Sequence, residues 1–280
     1  MEKDAGFPSG ESIPMCSGGI LMENSATRFG QTSVEFLKKA SDPQKIDEPS
    51  IIRPAVKPMN KKDIFVLQDI LLSNAQAAAA IRRELESRGI LSLNLMSSPG
   101  AGKTSLLEAL ADRLKGRARI AVIEGDIETE RDAERIRAKG VPAWQITTGG
   151  ACHLEAKMIG NVLPSIPTEI DFLFIENVGN LVCPAGYDLG ERLRVVLLST
   201  PEGDDKPKKY PKAFLTADVL LLTKADLRNF LPFDIGKAKA EALDLNPKLK
   251  VFVISSVTGE GLDDLIAFLF RAREEIVARA

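Results

Sequence analysis

Leu93-Asn94-Leu95-Met96-Ser97-Ser98-Pro99-Gly100-Ala101-Gly102-Lys103-Thr104-Ser105 runs from an apolar, strand-like segment into a short glycine-containing turn. Lys103-Thr104 then opens a helix-like pattern carried by Leu106, Leu107, Leu110 and Leu114. Strand, tight turn and helix in this register are the layout of a phosphate-binding P-loop. The backbone N–H groups of Gly100, Ala101, Gly102, Lys103, Thr104 and Ser105 would converge on an anion that the helix dipole also favours. Lys103 would reach the β- and γ-phosphates, and the Thr104 hydroxyl would ligate Mg²⁺. The usual pattern is G-x-x-x-x-G-K-S/T, and Ser97 stands where its first glycine belongs. An ordinary strand–turn–helix joint is the alternative.

Working outward, Lys61 to about Arg88 has a helical period, with Ile64, Leu67, Leu71 and Leu72 followed by Ala77 to Ala80, Ile81 and Leu85. Gly89 is a natural stop. A helix covering the domain is expected there, a linker helix being the other option. Downstream, Arg119–Glu124, Val141–Ile146, Ile170–Glu176, Glu191–Leu198, Ala217–Thr223 and Val251–Ser255 read as buried strands. Helices are expected at Glu130 to about Lys139 and at Ala151 to about Leu163. Alternating βα units predict an α/β fold, an open and mostly parallel sheet flanked by helices, with ligand at the C-terminal strand ends.

Two acids close such strands. Asp126 ends the second and Glu176 ends the one before Asn177-Val178-Gly179. With Thr104 they suit Mg²⁺, which in nucleotide sites takes one or two carboxylates beside phosphate and water; a solvated carboxylate at a strand edge is the plainer account of each. Glu176-x-x-Gly179 resembles the D-x-x-G of GTPases, and Gly179 leaves its N–H free for a γ-phosphate. Thr223-Lys224-Ala225-Asp226 resembles N-K-x-D. Asp226 would accept from the two adjacent donors of guanine, a pair adenine lacks, and Lys224 would lie along the base. Ser255 and Ser256 begin a loop like the one that backs the guanine oxygen. Catalysis in such a site is positioning and charge neutralisation. Asn180 replaces a longer water-orienting side chain, and slow intrinsic hydrolysis is expected.

A second constellation lies in Gly149-Gly150-Ala151-Cys152-His153-Leu154-Glu155 and Asn177 to Pro184. His153 is the single histidine and adjoins one of three cysteines. Cys183 lies just beyond Gly179, in a loop that should respond to the γ-phosphate. Thiolates and imidazole together suit Zn²⁺ or Ni²⁺; a buried cysteine beside a packing histidine is the structural alternative. Three side chains leave a tetrahedral ion one ligand short, so water or a second chain must complete it.

The rest sets bounds. Of 280 residues, 44% are hydrophobic and 27% charged, as in soluble domains, and the net charge of −2 gives no global reason to expect nucleic acid. No run reaches membrane-spanning length, Met1-Glu2-Lys3-Asp4 lacks a secretory core, and scattered cysteines suit a reducing cytoplasm. Residues 1–60 read as a flexible arm in which Cys16 has no partner for a metal. The domain proper would span 61–280. Lys206 to Lys212 is basic and reads as a solvated loop.

From about Leu71 onward the chain resembles the HypB-type nickel-incorporation GTPases of nickel–iron hydrogenase maturation. The resemblance is carried by Leu93–Glu108, Gly149–Met158, Ile175–Glu191 and Thr200–Pro211, with Cys152-His153 and Cys183 its specific part. It implies a P-loop NTPase of the SIMIBI type, GTP hydrolysis, a nucleotide- and metal-dependent homodimer, and nickel or zinc at those three residues. It also implies partnership with a HypA-type chaperone and delivery to the hydrogenase large subunit. The N-terminal Cys-x-x-Cys or histidine-rich tracts of some relatives are absent, so N-terminal nickel capture or storage is not expected. UreG, the urease GTPase, is the nearest competitor, but Cys183-Pro184 is followed by Ala185 rather than histidine. A GTPase chaperone for another cofactor enzyme, such as the cobalamin-mutase type, and a non-hydrolysing metal-storage protein are the remaining alternatives.

Overall fold

The computed structural model describes residues 61–126 and 130–279, with side chains from residue 69 onward. The arm at 1–60, with Cys16, lies outside the described residues. Seven strands form one sheet: β1 (Leu91–Ser97), β2 (Ile120–Asp126), β3 (Ala143–Thr147), β4 (Phe172–Glu176), β5 (Leu193–Ser199), β6 (Val219–Thr223) and β7 (Lys250–Val253). Their order is β3-β2-β4-β1-β5-β6-β7, and every neighbouring pair is parallel. This is a P-loop NTPase architecture. β1, β4 and β6 are buried at every position; β4 and β6 read as nearly unbroken apolar runs, whereas β1 buries Ser92, Asn94 and Ser97 among its apolar residues.

Helices cover both faces. On one, α2 (Lys103–Leu114), α3 (Arg131–Ala138) and α8 (Leu262–Val277) bury Leu106, Leu110, Ile136, Leu265 and Leu269 against β1, β2 and β4. On the other, α1 (Lys61–Ser87) and α4 (Ala156–Val162) enclose Ile81, Leu85, Ile159, Leu173 and Ile175. Beyond β5 the chain makes α5 (Lys206–Lys209) and α6 (Pro211–Thr216), and α7 (Ile235–Leu245) precedes β7. The basic stretch at Lys206 is thus mostly helical, and Lys208 Nζ pairs with Glu241 at 2.9 Å.

Two further expectations change. Leu71 and Leu72 of α1 are exposed; the helix docks through Ala78, Ile81 and Leu85 further on. That docking is close: Gly190 has φ 87°, and a Cβ there would lie 2.7 Å from Ile81 Cβ and 2.8 Å from the Ala78 carbonyl. The helix expected from Ala151 begins only at Ala156. The preceding backbone groups are bound elsewhere, with Thr148 Oγ1 donating to the Ala151 carbonyl (2.7 Å) and Leu154 N–H to Asn177 Oδ1 (3.1 Å). Asn74 Oδ1 of α1 then accepts the Ala156 N–H at 2.8 Å and fixes the helix start.

Candidate functional site

The turn after β1 reaches α2 through Gly100 (φ 74°) and Gly102 (φ 95°), conformations that a Cβ would strain. Its amides face a cleft of about 390 Å³ that also meets Glu124, Asp126, Glu176, Gly179 and Lys224. Lys103 and Thr104 are buried. Lys103 Nζ donates to Ser97 Oγ at 3.1 Å and lies 3.8 Å from Glu176 Oε1, while Thr104 Oγ1 donates to that same oxygen at 3.0 Å. Ser97, the departure from the consensus, therefore supplies a hydroxyl acceptor for the lysine. A Cβ on Gly179 would come within 3.1 Å of Pro99 Cα, so the loop after β4 lies tight against the P-loop.

Glu124 belongs to the cleft as well, although the sequence reading stopped at Asp126. Two residues apart on one strand, the two acids share a face, and that period was the available signal. Glu124 pairs in register with Glu176 across β2 and β4. Burial, and then the neighbouring Glu176, push its pKa up to about 11. Burial also raises Glu176, against the pull of Lys103 and a hydrogen bond from Thr104. Glu124 Oε1 and Glu176 Oε2 are buried with no hydrogen-bond donor among the described residues, and the raised Glu124 pKa favours a proton held between the two acids. Buried carboxyl oxygens beside a hydroxyl, with Asp126 on the same wall, fit a hard divalent cation such as Mg²⁺.

At the other end of the cleft Lys224 takes φ 57°, its carbonyl accepting from Thr200 Oγ1 at 2.9 Å. Thr223 Oγ1 donates to the Ala101 carbonyl at 2.7 Å, tying β6 to the P-loop. Asp226 stands on the turn Ala225–Phe230, where Ser255 Oγ donates to its Oδ1 at 2.6 Å. Ser255 Oγ in turn accepts the N–H groups of Val257 and Thr258, at 3.2 and 3.1 Å. Ser255 is fully buried and acts on Asp226, whereas Ser256 is half-buried without a described bond of its own. Lys224 meets the phosphate cleft; Asp226, Ser255 and Ser256 stand beyond its wall.

Cys152, His153 and Cys183 converge, one ligand atom from each lying within 4.8 Å of the others. Cys152 Sγ is 3.6 Å from His153 Nδ1. His153 Nε2 is buried without a hydrogen-bond partner among the described residues, its ring stacks on Tyr187 with centroids 3.9 Å apart, and Glu155 Oε1 lies 3.9 Å away. Burial lowers the His153 pKa, and the Cys183 thiol raises that of Cys152. Two sulfurs and an imidazole nitrogen kept neutral form a donor set for a borderline or soft divalent ion. Tyr187 could not be found from spacing; only the fold brings it beneath the histidine.

A family profile described as CobW/HypB/UreG, nucleotide-binding domain, matches residues 92–253. The hydrogenase maturation factor HypB of Rhizobium leguminosarum bv. viciae is 51% identical over 207 residues, 74% of this chain and 69% of that one. The hydrogenase/urease maturation factor HypB of Helicobacter pylori is 45% identical over 222 residues, 78% of this chain and 91% of that one. The crystal structure of HypB from Helicobacter pylori in complex with nickel superposes with TM-score 0.70 at 45% identity, covering 72% of this chain and 96% of that one.

Proposed function

We propose, from the premise that this chain belongs to the CobW/HypB/UreG family and within it to the HypB-type hydrogenase maturation factors, that it is a GTPase whose nucleotide state governs the holding and release of Ni²⁺ for a hydrogenase precursor. The observation that carries this reading is the junction of two sites. One loop, Glu176 to Cys183, begins at an acid facing the phosphate cleft and ends at a thiol of the three-ligand cluster.

In this reading the amides of Gly100 to Ser105 and the Lys103 ammonium hold the β- and γ-phosphates. Thr104, Asp126 and Glu176 would hold Mg²⁺, which neutralises phosphate charge when bound. Lys103 exchanges its contacts with Ser97 and Glu176 for phosphate oxygens. Asp226, aimed by Ser255, accepts from guanine, and Lys224 lies along the base. Turnover without a partner is slow. Asn180 Oδ1 accepts the Val182 N–H at 2.8 Å and so is engaged in its own loop. Arg135, the one arginine lining the cleft among the described residues, is held by Glu108 and Asp132 at 2.7 and 3.0 Å.

Nickel is cargo here, bound by Cys152, His153 and Cys183; Zn²⁺ suits the same donors. A homodimer completing the ion, a HypA-type chaperone and the hydrogenase large subunit are the proposed partners. The nickel-bound Helicobacter structure supports the metal, and the joint hydrogenase/urease name of its relative makes a urease precursor the second recipient to test. The reading is tested by GTP turnover and by Ni²⁺ and Zn²⁺ titration with GDP or GTPγS present. Lys103→Ala should lower turnover at least a hundredfold and leave metal affinity intact. Cys183→Ala should weaken nickel binding at least tenfold and remove its nucleotide dependence. Nickel affinity unchanged by Cys183→Ala would overturn the proposal.

A further inference from the structure

Leu154, the residue after His153, is gripped by both strand ends that carry the acids of the phosphate cleft. Its backbone N–H donates to Asn177 Oδ1 (3.1 Å), and the same oxygen accepts the Val178 N–H (3.0 Å) in the loop after Glu176. Its side chain lies on Gly125, between Glu124 and Asp126, where a Cβ would come within 2.7 Å of Leu154 Cγ and Cδ1. Leu154 and Asn177 are both buried. Asn177 is itself anchored, its Nδ2 donating to Asn94 Oδ1 at 3.2 Å, and Asn94 Nδ2 donates to Glu191 Oε1 at 3.3 Å. Only Leu154 and Glu155 separate Cys152-His153 from the start of α4. A shift of the β2 or β4 end would be passed toward Cys152-His153 through a tight apolar contact and a buried hydrogen bond, two groups with little slack.

We propose that Leu154, clasped between Gly125 and Asn177, is the positioning residue through which nucleotide state sets the geometry of the Cys152–His153 half of the metal site. The loop to Cys183 moves one thiol; the Leu154 clasp moves the other thiol and the imidazole. Gly125 is glycine because Leu154 occupies the space of its side chain. This inference rests on the proposed GTP-governed metal binding and names the part that would transmit it.

The test compares the full chain with Leu154→Ala, Leu154→Met and Ile159→Ala. Ile159 is a buried neighbour in the same core cluster and touches neither strand end by any described bond. Ni²⁺ affinity is measured by competition with a chelator in GDP and in GTPγS, and the ratio of the two is the readout. Leu154→Ala should bring that ratio to within about twofold of one while Ni²⁺ affinity in GDP stays within about threefold of the wild type. Leu154→Met, which keeps the reach onto Gly125, should retain at least half of the logarithm of the ratio. Ile159→Ala, matched to Leu154→Ala by melting temperature, should leave the ratio intact. Reciprocity demands the same factors in GTPγS affinity measured with and without metal. A wild-type ratio of one overturns the GTP-governed reading and this inference with it. A wild-type ratio above one that survives Leu154→Ala, or that Ile159→Ala abolishes equally, overturns the clasp alone.

Discussion

At Glu124 nearly every neighbour disfavours ionisation: burial, the in-register Glu176, and Asp132, with only Lys103 pulling the other way. Its pKa rises from 4.5 to about 11, so between those values the folded chain holds a proton that the unfolded chain has lost. Stability then falls as pH rises through that window, by up to about 1.4 kcal/mol per pH unit for one proton. Glu124→Gln keeps the hydrogen-bonding shape and removes the titration. Thermal unfolding of the nucleotide-free protein from pH 5 to 9 should show the variant gaining on the wild type at each step, and parallel curves would refute the shared proton. Asp226 supports a second residue-scale expectation. Asp226→Asn turns one acceptor into a donor against guanine, and GTP affinity should drop at least a hundredfold while xanthosine triphosphate, with a carbonyl at that position, gains. Equal loss of both nucleotides in a binding assay would remove Asp226 from base recognition. Spacing pointed to Asp226 through its Thr-Lys-Ala-Asp run, whereas Glu124 lay outside every motif and came into view only with the strand pairing. Spacing was not enough to explain the two departures. Ser97 and Thr223 look like lost contacts in a pattern, yet their hydroxyls serve Lys103 and the Ala101 carbonyl, bonds that exist only after β1, β6 and the turn meet.

Among the elements, strands were the most legible, since the central ones are buried on both faces and largely apolar, and β3 and β7, only partly buried at the two edges of the sheet, still carry apolar residues between turn signals. Their spatial order was not legible: β4 inserts between β1 and β2, and nothing in the local pattern of Ile170–Glu176 specifies its neighbours. Helix starts failed where tertiary bonds outcompeted helical ones. The segment from Ala151 to Glu155 has an acceptable helical composition, but its backbone bonds to Thr148 and Asn177 instead, which leaves Cys152 and His153 in an irregular turn. The seating of α1 depends on contact of this long-range kind. At Gly190 a methyl group would strain a φ of 87° and press on Ile81 and the Ala78 carbonyl. Gly190→Ala should cost about 2–4 kcal/mol, joining backbone strain to overpacking. Hydrogen exchange should show lost protection in α1 around Ala78 to Leu85 before the central strands. Unchanged stability would mean that α1 rests on the sheet more loosely than the contact distances indicate.

For the whole molecule, the sheet order places the two sites on one edge but in different sectors. The β2 and β4 ends hold Leu154, next to the thiol–imidazole cluster, and the β6 end leads into Lys224 and Asp226, with β1 and its P-loop between them. In the proposed reading, a nucleotide spanning that edge from base to γ-phosphate brings its labile end to the side of Cys152, His153 and Cys183. The cluster offers three donors, half-buried rather than enclosed, and Val182 next to Cys183 is 60% exposed. An ion with tetrahedral preference needs a fourth ligand, and the two sources differ in stoichiometry and mass. If a second chain supplies it, Ni²⁺ with GTPγS should double the mass seen by light scattering. The dimer should grow with protein concentration, and Cys183→Ala should abolish the metal-dependent part. The melting temperature of the metal-loaded protein should then rise with protein concentration, because association stabilises only the folded chain. If water supplies it, one ion binds per monomer, the mass stays that of one chain at every nucleotide state, and the melting temperature is independent of concentration. A monomer that binds Ni²⁺ tightly in GTPγS would therefore end the dimer proposal while leaving the GTP-governed site in place.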